Sequence, residues 1–340
     1  NVTLETINED KRPPIVLMDV EDIRLSNMKV DKAEEMPYIV MKGVKDVELE
    51  ECFKLFGANM ILGNELSMNF YVNKSYIEEG KEYYIKVIKT YADGRDSVVR
   101  IYNQEDWYSY NSTLYRVTFN GIAAKEMNDK IYVQVFYADG TSASALWEDS
   151  VDYVTRILEK ENAYSKTMLV DMLNYGAAAQ VYFSYNEENL ANSNLTEVQK
   201  AYATSEISYT DSRIKGANYY GSTLNLGNNL SLVLYFQNIS TDMHAEVSYT
   251  NHYGEEKLVR IEGTEFYHYS GSIYKVAVNE VVVADVGQPV TCTIYDSLGN
   301  EVGTVTDSIE SYIARMSSTD ELYETIMKFA NSAYVYLHNK

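Results

Sequence analysis

Apolar and polar residues alternate in two stretches of the chain, residues 66–72 and residues 230–236. A period of two predicts a strand that buries one face and exposes the other. Turn sequences such as the Ala-Asp-Gly of residues 92–94 separate further runs that are rich in valine, isoleucine and tyrosine. Together these signals predict antiparallel hairpins of the kind that build β-sandwiches.

The period changes to that of a helix after each set of strands. Val151, Val154 and Leu158 fall on one helical stripe, and a longer apolar stripe follows within residues 168–183. A similar pair of stripes lies near the end of the chain, within residues 309–337. We therefore expect two amphipathic helices after each set of strands.

An internal repeat relates the two halves of the chain. The matching segments occur in the same order: residues 57–72 with 221–236, 114–120 with 273–279, 131–135 with 290–294, 153–156 with 312–315, and 172–183 with 326–337. A preserved order over such a distance indicates a duplication. The predicted fold class is α+β and mostly β, with two repeated antiparallel β-sandwich-like units, each followed by a C-terminal helical pair packed on it.

The domain boundaries follow from this repeat. We place the first repeat at residues 46–185 and the second at residues 205–340, joined by a polar linker with a short helix at residues 186–204. Residues 1–45 have no counterpart in the second repeat. Their prolines and the apolar run at residues 15–20 predict an extended arm. It is an added edge strand, the remnant of a preceding domain, or a segment donated to a neighbouring molecule.

The composition restricts the partners. A formal net charge of −21 opposes binding to nucleic acid or to anionic lipid, because both require clustered Lys and Arg side chains. Membrane insertion is not expected either, since no run of about 18 apolar residues occurs. Cys52 and Cys292 do not occupy equivalent places in the two repeats. We interpret them as free, buried thiols, with one bridge between the repeats as the alternative.

Motifs that carry enzyme chemistry are missing. The four histidines show no metal-ligand spacing, and no nucleophile elbow, phosphate loop, dinucleotide fingerprint or calcium loop occurs. Carboxylate pairs are uninformative in so acidic a chain, so a glycosidase is the weakest hypothesis. The sequence predicts no catalytic residue, no metal site and no cofactor.

One aromatic cluster occurs in both repeats beside an acidic residue. Its members are the candidate ligand-binding residues Trp107, Tyr108 and Tyr110 in the first repeat and Phe266, Tyr267 and Tyr269 in the second. Aromatic rings stack on the C–H bonds of sugars while polar neighbours bind the hydroxyl groups, so the cluster suits a carbohydrate. In the alternative interpretation, alternate members point into the sandwich and the others cover an edge.

Three segments carry a family resemblance. Residues 119–127, 170–183 and 189–203 resemble a tandem β-rich repeat of large secreted and cell-surface proteins of anaerobic, clostridial-type Gram-positive bacteria. The resemblance extends over nearly everything after about residue 50. It implies an extracellular, modular and non-catalytic role, and it transfers no functional residue to this chain.

Two functions remain open from the sequence. The first is a non-catalytic extracellular binding or adhesion module of a bacterial surface protein, with a protein or a glycan at the cell surface as partner. The second is a structural spacer, or a self-assembling filament or surface-layer subunit. That subunit would assemble with its own copies through strand exchange by residues 1–45.

Overall fold

The structure is a computed structural model that describes residues 3–4, 15–21, 24–25, 29–30, 39–42, 48–49, 55–62, 66–77, 79–137, 142–205, 207–227, 230–279, 281–316 and 320–339. It is mostly β, with several antiparallel sheets and few helices. The chain divides into two compact units. Unit 1 comprises residues 1–61, 67–120 and 126–159, and unit 2 comprises residues 62–66, 121–125 and 160–340.

Short strands that pair in parallel form the beginning of the chain. They are β1 (Thr3–Leu4), β2 (Ile15–Met18), β3 (Arg24–Leu25), β4 (Lys29–Val30), β5 (Ile39–Lys42) and β6 (Glu48–Leu49). Strand β1 pairs with β4, β2 with β5, and β3 with β6.

The strands of the first sandwich follow. They are β7 (Leu55–Leu62), β8 (Leu66–Asn73), β9 (Tyr83–Thr90), β10 (Val98–Asn103), β11 (Tyr108–Ser109), β12 (Leu114–Ile122), β13 (Lys130–Tyr137) and β14 (Ser142–Glu148), before helix α1 (Ser150–Leu158). One sheet has the order β11-β12-β8-β7 and the other β10-β9-β13-β14-β5-β2. Strand β2, from the N-terminal segment, is the last of the described strands in the second of these sheets, and the three interpretations of residues 1–45 stay predictions.

Alternation explains the buried faces of these sheets. Strand β9 buries every second residue, including Ile85 and Val87. In β8 the predicted alternation places Met68 and Phe70 in the core, but the polar residues Ser67 and Asn69 are buried as well. Asn69 is satisfied there because its amide donates to Asn59 Oδ1 at 2.8 Å and its oxygen accepts from Thr118 Oγ1 at 2.7 Å.

Unit 2 contains the remaining elements. They are α2 (Ala163–Tyr182), α3 (Glu197–Lys200), β15 (Ile214–Lys215), β16 (Tyr219–Leu226), β17 (Leu230–Gln237), β18 (His244–Thr250), β19 (Glu256–Glu262), β20 (Tyr267–Ser270), β21 (Ile273–Val278), β22 (Val290–Tyr295), β23 (Glu301–Asp307), α4 (Ile309–Arg315) and α5 (Glu321–His338). Its sheets have the orders β15-β23-β22-β18-β19 and β16-β17-β21-β20. Residues of both sheets and of α4 and α5 share one core.

Helix α2 belongs to unit 2, although the sequence pattern places it at the end of the first repeat. Residues 168–173 are all buried, so this stretch has no exposed stripe. The helix packs along α5, where the rings of Tyr175 and Phe329 lie 6.1 Å apart. The expectation that each helical pair packs on its own sandwich therefore differs from the structure at α2.

The predicted linker is attached to α2 by two buried polar side chains. Gln180 Oε1 accepts a hydrogen bond from the backbone N–H of Ala191 at 2.7 Å. Asp171 accepts from the backbone N–H and the hydroxyl of Thr204, at 3.0 and 2.6 Å. Because buried polar groups are retained when they are hydrogen-bonded, these contacts fix the segment against the helix.

Cys292 is a free thiol in the interior of β22. Burial raises the pKa of its thiol to about 12. Cys52 lies outside the described residues.

Candidate binding surface

The candidate aromatic residues divide into a buried and an exposed set. Trp107 and Phe266 are both buried, so neither is available to a ligand. The Trp107 indole N–H donates to the backbone oxygen of Tyr102 at 3.1 Å. These two residues anchor the edge strands that follow them, as the alternative interpretation of the cluster anticipates.

The exposed set consists of four tyrosines on two edge strands. Tyr108 and Tyr110 lie on or directly after β11, and Tyr267 and Tyr269 lie on β20. Each of them is between 48% and 67% exposed. Strands β11 and β20 are each the last strand of a four-stranded sheet, so these rings line a sheet edge.

In unit 1 a cation lies among the tyrosines. Arg116 stands directly opposite Tyr108 in the β11–β12 ladder. Its guanidinium carbon lies 4.6 Å from the centre of the Tyr108 ring and 5.8 Å from that of Tyr110. The ring of Tyr71, on β8, meets Tyr110 edge to face with the centroids 5.1 Å apart. We call Tyr71, Tyr108, Tyr110 and Arg116 the first tyrosine–cation surface.

Unit 2 repeats this arrangement with a lysine. Lys275 stands opposite both Tyr267 and Tyr235 in neighbouring ladders. Its Nζ lies 4.9 Å from the centre of the Tyr269 ring and 5.5 Å from that of Tyr235. Tyr235 and Tyr269 meet edge to face at 5.1 Å. We call Tyr235, Tyr267, Tyr269 and Lys275 the second tyrosine–cation surface.

Local hydrogen bonds fix the hairpin that carries the first surface. Asn111 Oδ1 accepts from the backbone N–H groups of Thr113 and Leu114, both at 2.8 Å. Lys74 Nζ donates to the backbone oxygen of Asn111 and to Ser109 Oγ, both at 2.6 Å. These contacts hold the turn in one conformation, as a preorganised contact surface requires.

A different turn carries the second surface. Gly271 has a φ of +55°, a conformation that glycine adopts without strain. A ring nitrogen of His268 lies 3.0 Å from the backbone oxygen of Gly271. The two surfaces therefore share their exposed side chains but not the turns that support them.

The aromatic cluster predicted from the sequence does not include Arg116, Lys275, Tyr71 or Tyr235. The internal alignment contains the signal, because Arg116 and Lys275 occupy the same place in the matching segments 114–120 and 273–279. A cation kept at one position of a strand in a strongly acidic chain indicates a specific neighbour. Here that neighbour is the ring of a tyrosine.

The chemistry of each surface combines ring faces, phenol hydroxyls and one positive charge. Cation–π contacts contribute about 0.5–1 kcal/mol at exposed sites, so the cation helps to hold the rings in place. In the described part of the chain, no group of three or more His, Cys, Asp or Glu residues is arranged to hold a metal ion. Within that same part, no helix is both long and apolar enough to cross a membrane.

Comparisons with known proteins do not show a family for this chain. No protein-family model matches the chain, and no curated protein matches it. Among solved structures, the chain is similar to a two-domain fibronectin type-III segment of chicken tenascin, at 8% sequence identity and a TM-score of 0.19. That match covers 75% of this chain and 98% of the tenascin segment. A likeness this weak does not indicate a function.

Proposed function

We propose that this chain is a non-catalytic, extracellular binding module that contacts a glycan through its two tyrosine–cation surfaces. The observation that carries the proposal is their repetition. Each surface places two exposed tyrosines at the edge of a four-stranded sheet beside a cation on the neighbouring strand. Unrelated surface residues do not coincide in this way.

The physical fit to a sugar has two parts. Exposed tyrosine rings offer apolar faces that stack on the C–H bonds of a pyranose ring, and their hydroxyl groups bond to sugar hydroxyls. The central Arg116 or Lys275 adds a positive charge that suits a hydroxyl-rich or a carboxylated sugar. Because the rings are held by neighbouring side chains, little conformational entropy is lost on binding.

The proposal includes a common origin for the two sandwiches. The sheet order β11-β12-β8-β7 in unit 1 has the same form as β20-β21-β17-β16 in unit 2. Likewise β10-β9-β13-β14 has the same form as β19-β18-β22-β23. Duplication of one module with its two helices accounts for the matching strand orders of both pairs of sheets. The resemblance to bacterial secreted repeats supports an extracellular or cell-surface location.

A glycan array compared across matched variants tests the proposal. The wild type is expected to bind a subset of glycans. The double variants Tyr108→Ala/Tyr110→Ala and Tyr267→Ala/Tyr269→Ala should each weaken binding about tenfold or more, which corresponds to about 1.4 kcal/mol. Tyr220→Ala is the control, since Tyr220 is 60% exposed on β16 at the opposite edge of the same sheet as Tyr267.

The array also has outcomes that contradict the proposal. A wild type that binds neither neutral nor acidic glycans would favour the structural spacer instead. Double variants that bind like the wild type would remove the tyrosines from the site. Trp107→Ala is not used, because its effect on the buried interior would be read as an effect on binding. Arg116→Gln separates the two sugar classes, since only acidic glycans should lose affinity.

A further inference from the structure

A short repeat lies within the N-terminal segment, apart from the long one. Residues 13–26 and residues 37–50 are related at a spacing of 24. The identical pairs are Pro13 and Pro37, Ile15 and Ile39, Val16 and Val40, Val20 and Val44, Asp22 and Asp46, and Leu25 and Leu49. Leu17 with Met41 and Ile23 with Val47 preserve apolar character at the same spacing.

The backbone pairs its strands at this same spacing. Strand β2 lies parallel to β5, with Ile15 opposite Ile39 and Val16 opposite Val40. Strand β3 lies parallel to β6, with Leu25 opposite Leu49. Equivalent residues of the two copies therefore stand opposite each other in the parallel register.

A chain whose successive strands pair in this way forms a coil. Strands β1, β2 and β3 form one turn, and β4, β5 and β6 form the next, each strand parallel to its equivalent one turn later. Asp19 follows β2 with a φ of +49°, and the equivalent position in the second copy is Gly43, the residue type that best tolerates such a corner. This is the pattern of a parallel β-solenoid of two turns.

The two turns of the solenoid differ in the pairing of their strands and in the exposed fraction of the equivalent valines. Strand β5 is paired on both sides, with β2 and with β14, where Val40 stands opposite Ala145. Val40 is 3% exposed. Among the strands that the structure describes, β2 is the last of its sheet, and Val16, at the equivalent position of the motif, is 46% exposed. A turn stacked on β2 would cover Val16 as the flanking strands cover Val40.

We propose that the free edge of β2 is a docking surface for a further turn of the same motif. The partner is a polypeptide segment in which a proline precedes an Ile-Val-apolar strand, with a Val-x-Asp-apolar sequence a few residues later. It stacks in parallel and in register, because a shift by one residue would place its apolar side chains on the wrong face. An unpaired edge strand with exposed Val16 is otherwise prone to uncontrolled pairing.

The first experiment adds such a turn to the full chain. A second copy of residues 13–36 is inserted directly before Pro13, so that the new strand is 24 residues from β2. Amide exchange of residues 15–18 should slow about tenfold or more relative to a control insertion. The control has the same length, with its Ile, Val, Leu and Met residues replaced by Ser. Equal exchange in the two insertion variants would overturn the proposal.

A second measurement keeps the proposal testable if an insertion variant does not fold. A synthetic peptide of residues 13–26 is added to the wild-type chain, and exchange at residues 15–18 is followed as its concentration rises. Saturable protection that is abolished by Val16→Asp in the protein supports the docking surface. No protection at any concentration contradicts it. Protection that depends on the protein's own concentration, without peptide, would assign the edge to a second copy and overturn it as well.

Discussion

The turn between β9 and β10 in unit 1 and the corresponding turn between β18 and β19 in unit 2 are held by different side chains. In unit 1 the buried Glu126 contacts two cations from the first hairpin, with Lys89 Nζ 2.5 Å from Glu126 Oε2 and the Arg95 guanidinium at Oε1. In unit 2 the equivalent residue is Asp285, whose Oδ1 lies 2.6 Å from both the backbone N–H and the ring Nδ1 of His252. In unit 1 the backbone N–H of Ala92 also donates to a carboxylate, Asp129 Oδ1, at 3.2 Å, so the two turns differ mainly in the cations that contact Glu126.

This difference determines which charges and hydrogen bonds remain at the turn after a single substitution. Lys89 is almost fully buried, and this burial lowers the pKa of its ammonium group in spite of the ion pair with Glu126. Removing Lys89 leaves the buried Glu126 carboxylate with less compensating charge, because of these two cations only the partly exposed Arg95 remains. In unit 2 the backbone N–H of His252 remains whatever the side chain becomes. The first sandwich should therefore be the more sensitive of the two.

The largest expected effect comes from Lys89→Met. This variant should lower the free energy of unfolding of unit 1 by about 3–5 kcal/mol, because Glu126 stays buried with Arg95 alone among these cations. His252→Ala should lower the free energy of unfolding of unit 2 by about 1–3 kcal/mol. The variant loses the contact between the His252 ring and Asp285, but it keeps the hydrogen bond from the backbone N–H of residue 252. Amide exchange in β9 and in β18 reports each unit separately. Equal losses in the two strands would refute the comparison.

A second difference concerns the first turn of a helix. The N-cap of helix α1 is Asp149, which accepts from the backbone N–H of Asp152 at 2.8 Å, whereas the N-cap of α4 is the neutral Ser308. Burial, assisted by the neighbouring Asp152, raises the pKa of Asp149 to about 7, although Lys130 contacts its carboxylate. In the unfolded chain the pKa of such a group is about 3.8.

This shift predicts a pH-dependent contribution to stability in unit 1. Between about pH 4 and pH 7 the folded chain retains a proton on Asp149 that the unfolded chain has released, so stability falls as the pH rises through this window. Asp149→Asn keeps the cap and removes the titration. The wild type should therefore lose stability relative to this variant from pH 4 to pH 7, and not above it, in urea unfolding.

The matched control for this prediction is in unit 2. Ser308→Ala removes the bond to the backbone N–H of Ser311 and should cost about 1 kcal/mol at every pH, because no charge is involved. A stability difference between the wild type and Asp149→Asn that stays flat from pH 4 to pH 7 would show that Asp149 does not titrate in this window.

The smallest effect is expected at the centre of β22. Cys292 is fully buried, and the matching position on β13 in unit 1 is the equally buried Val133. Cys292→Val replaces one small apolar side chain by another of similar volume. We expect a change in unfolding free energy below about 1.5 kcal/mol, measured in urea. A loss of several kcal/mol would mean that the sulfur has a role that its surroundings do not reveal.

Regular patterns account for what the sequence predicts well. The alternation in residues 66–72 and 230–236 correctly indicates strands, because a period of two has few other structural explanations. Packing of α2 could not be predicted in the same way. Its apolar residues occur on all sides, and a helix without a polar face does not reveal which neighbour it contacts.

The candidate site was only partly predictable. The aromatic cluster was found, yet its pattern does not tell which rings face the interior, and Trp107 and Phe266 proved to be buried. Arg116 and Lys275 were missed because a single cation in a strand ordinarily reads as a solvated side chain. The 24-residue repeat could not be predicted from periodicity, for another reason. Its strands contain two to four residues, too few to establish a period by themselves.

The packing of α2 along α5 has a practical consequence for dividing this protein into pieces. A fragment that starts at residue 205, where the second repeat begins, would lack α2 and leave the α5 ring of Phe329 without its Tyr175 neighbour. A cut between residues 159 and 160 instead keeps both helices together. The segment that the sequence pattern predicts as the second repeat is thus not the segment to express when the second sandwich is wanted alone.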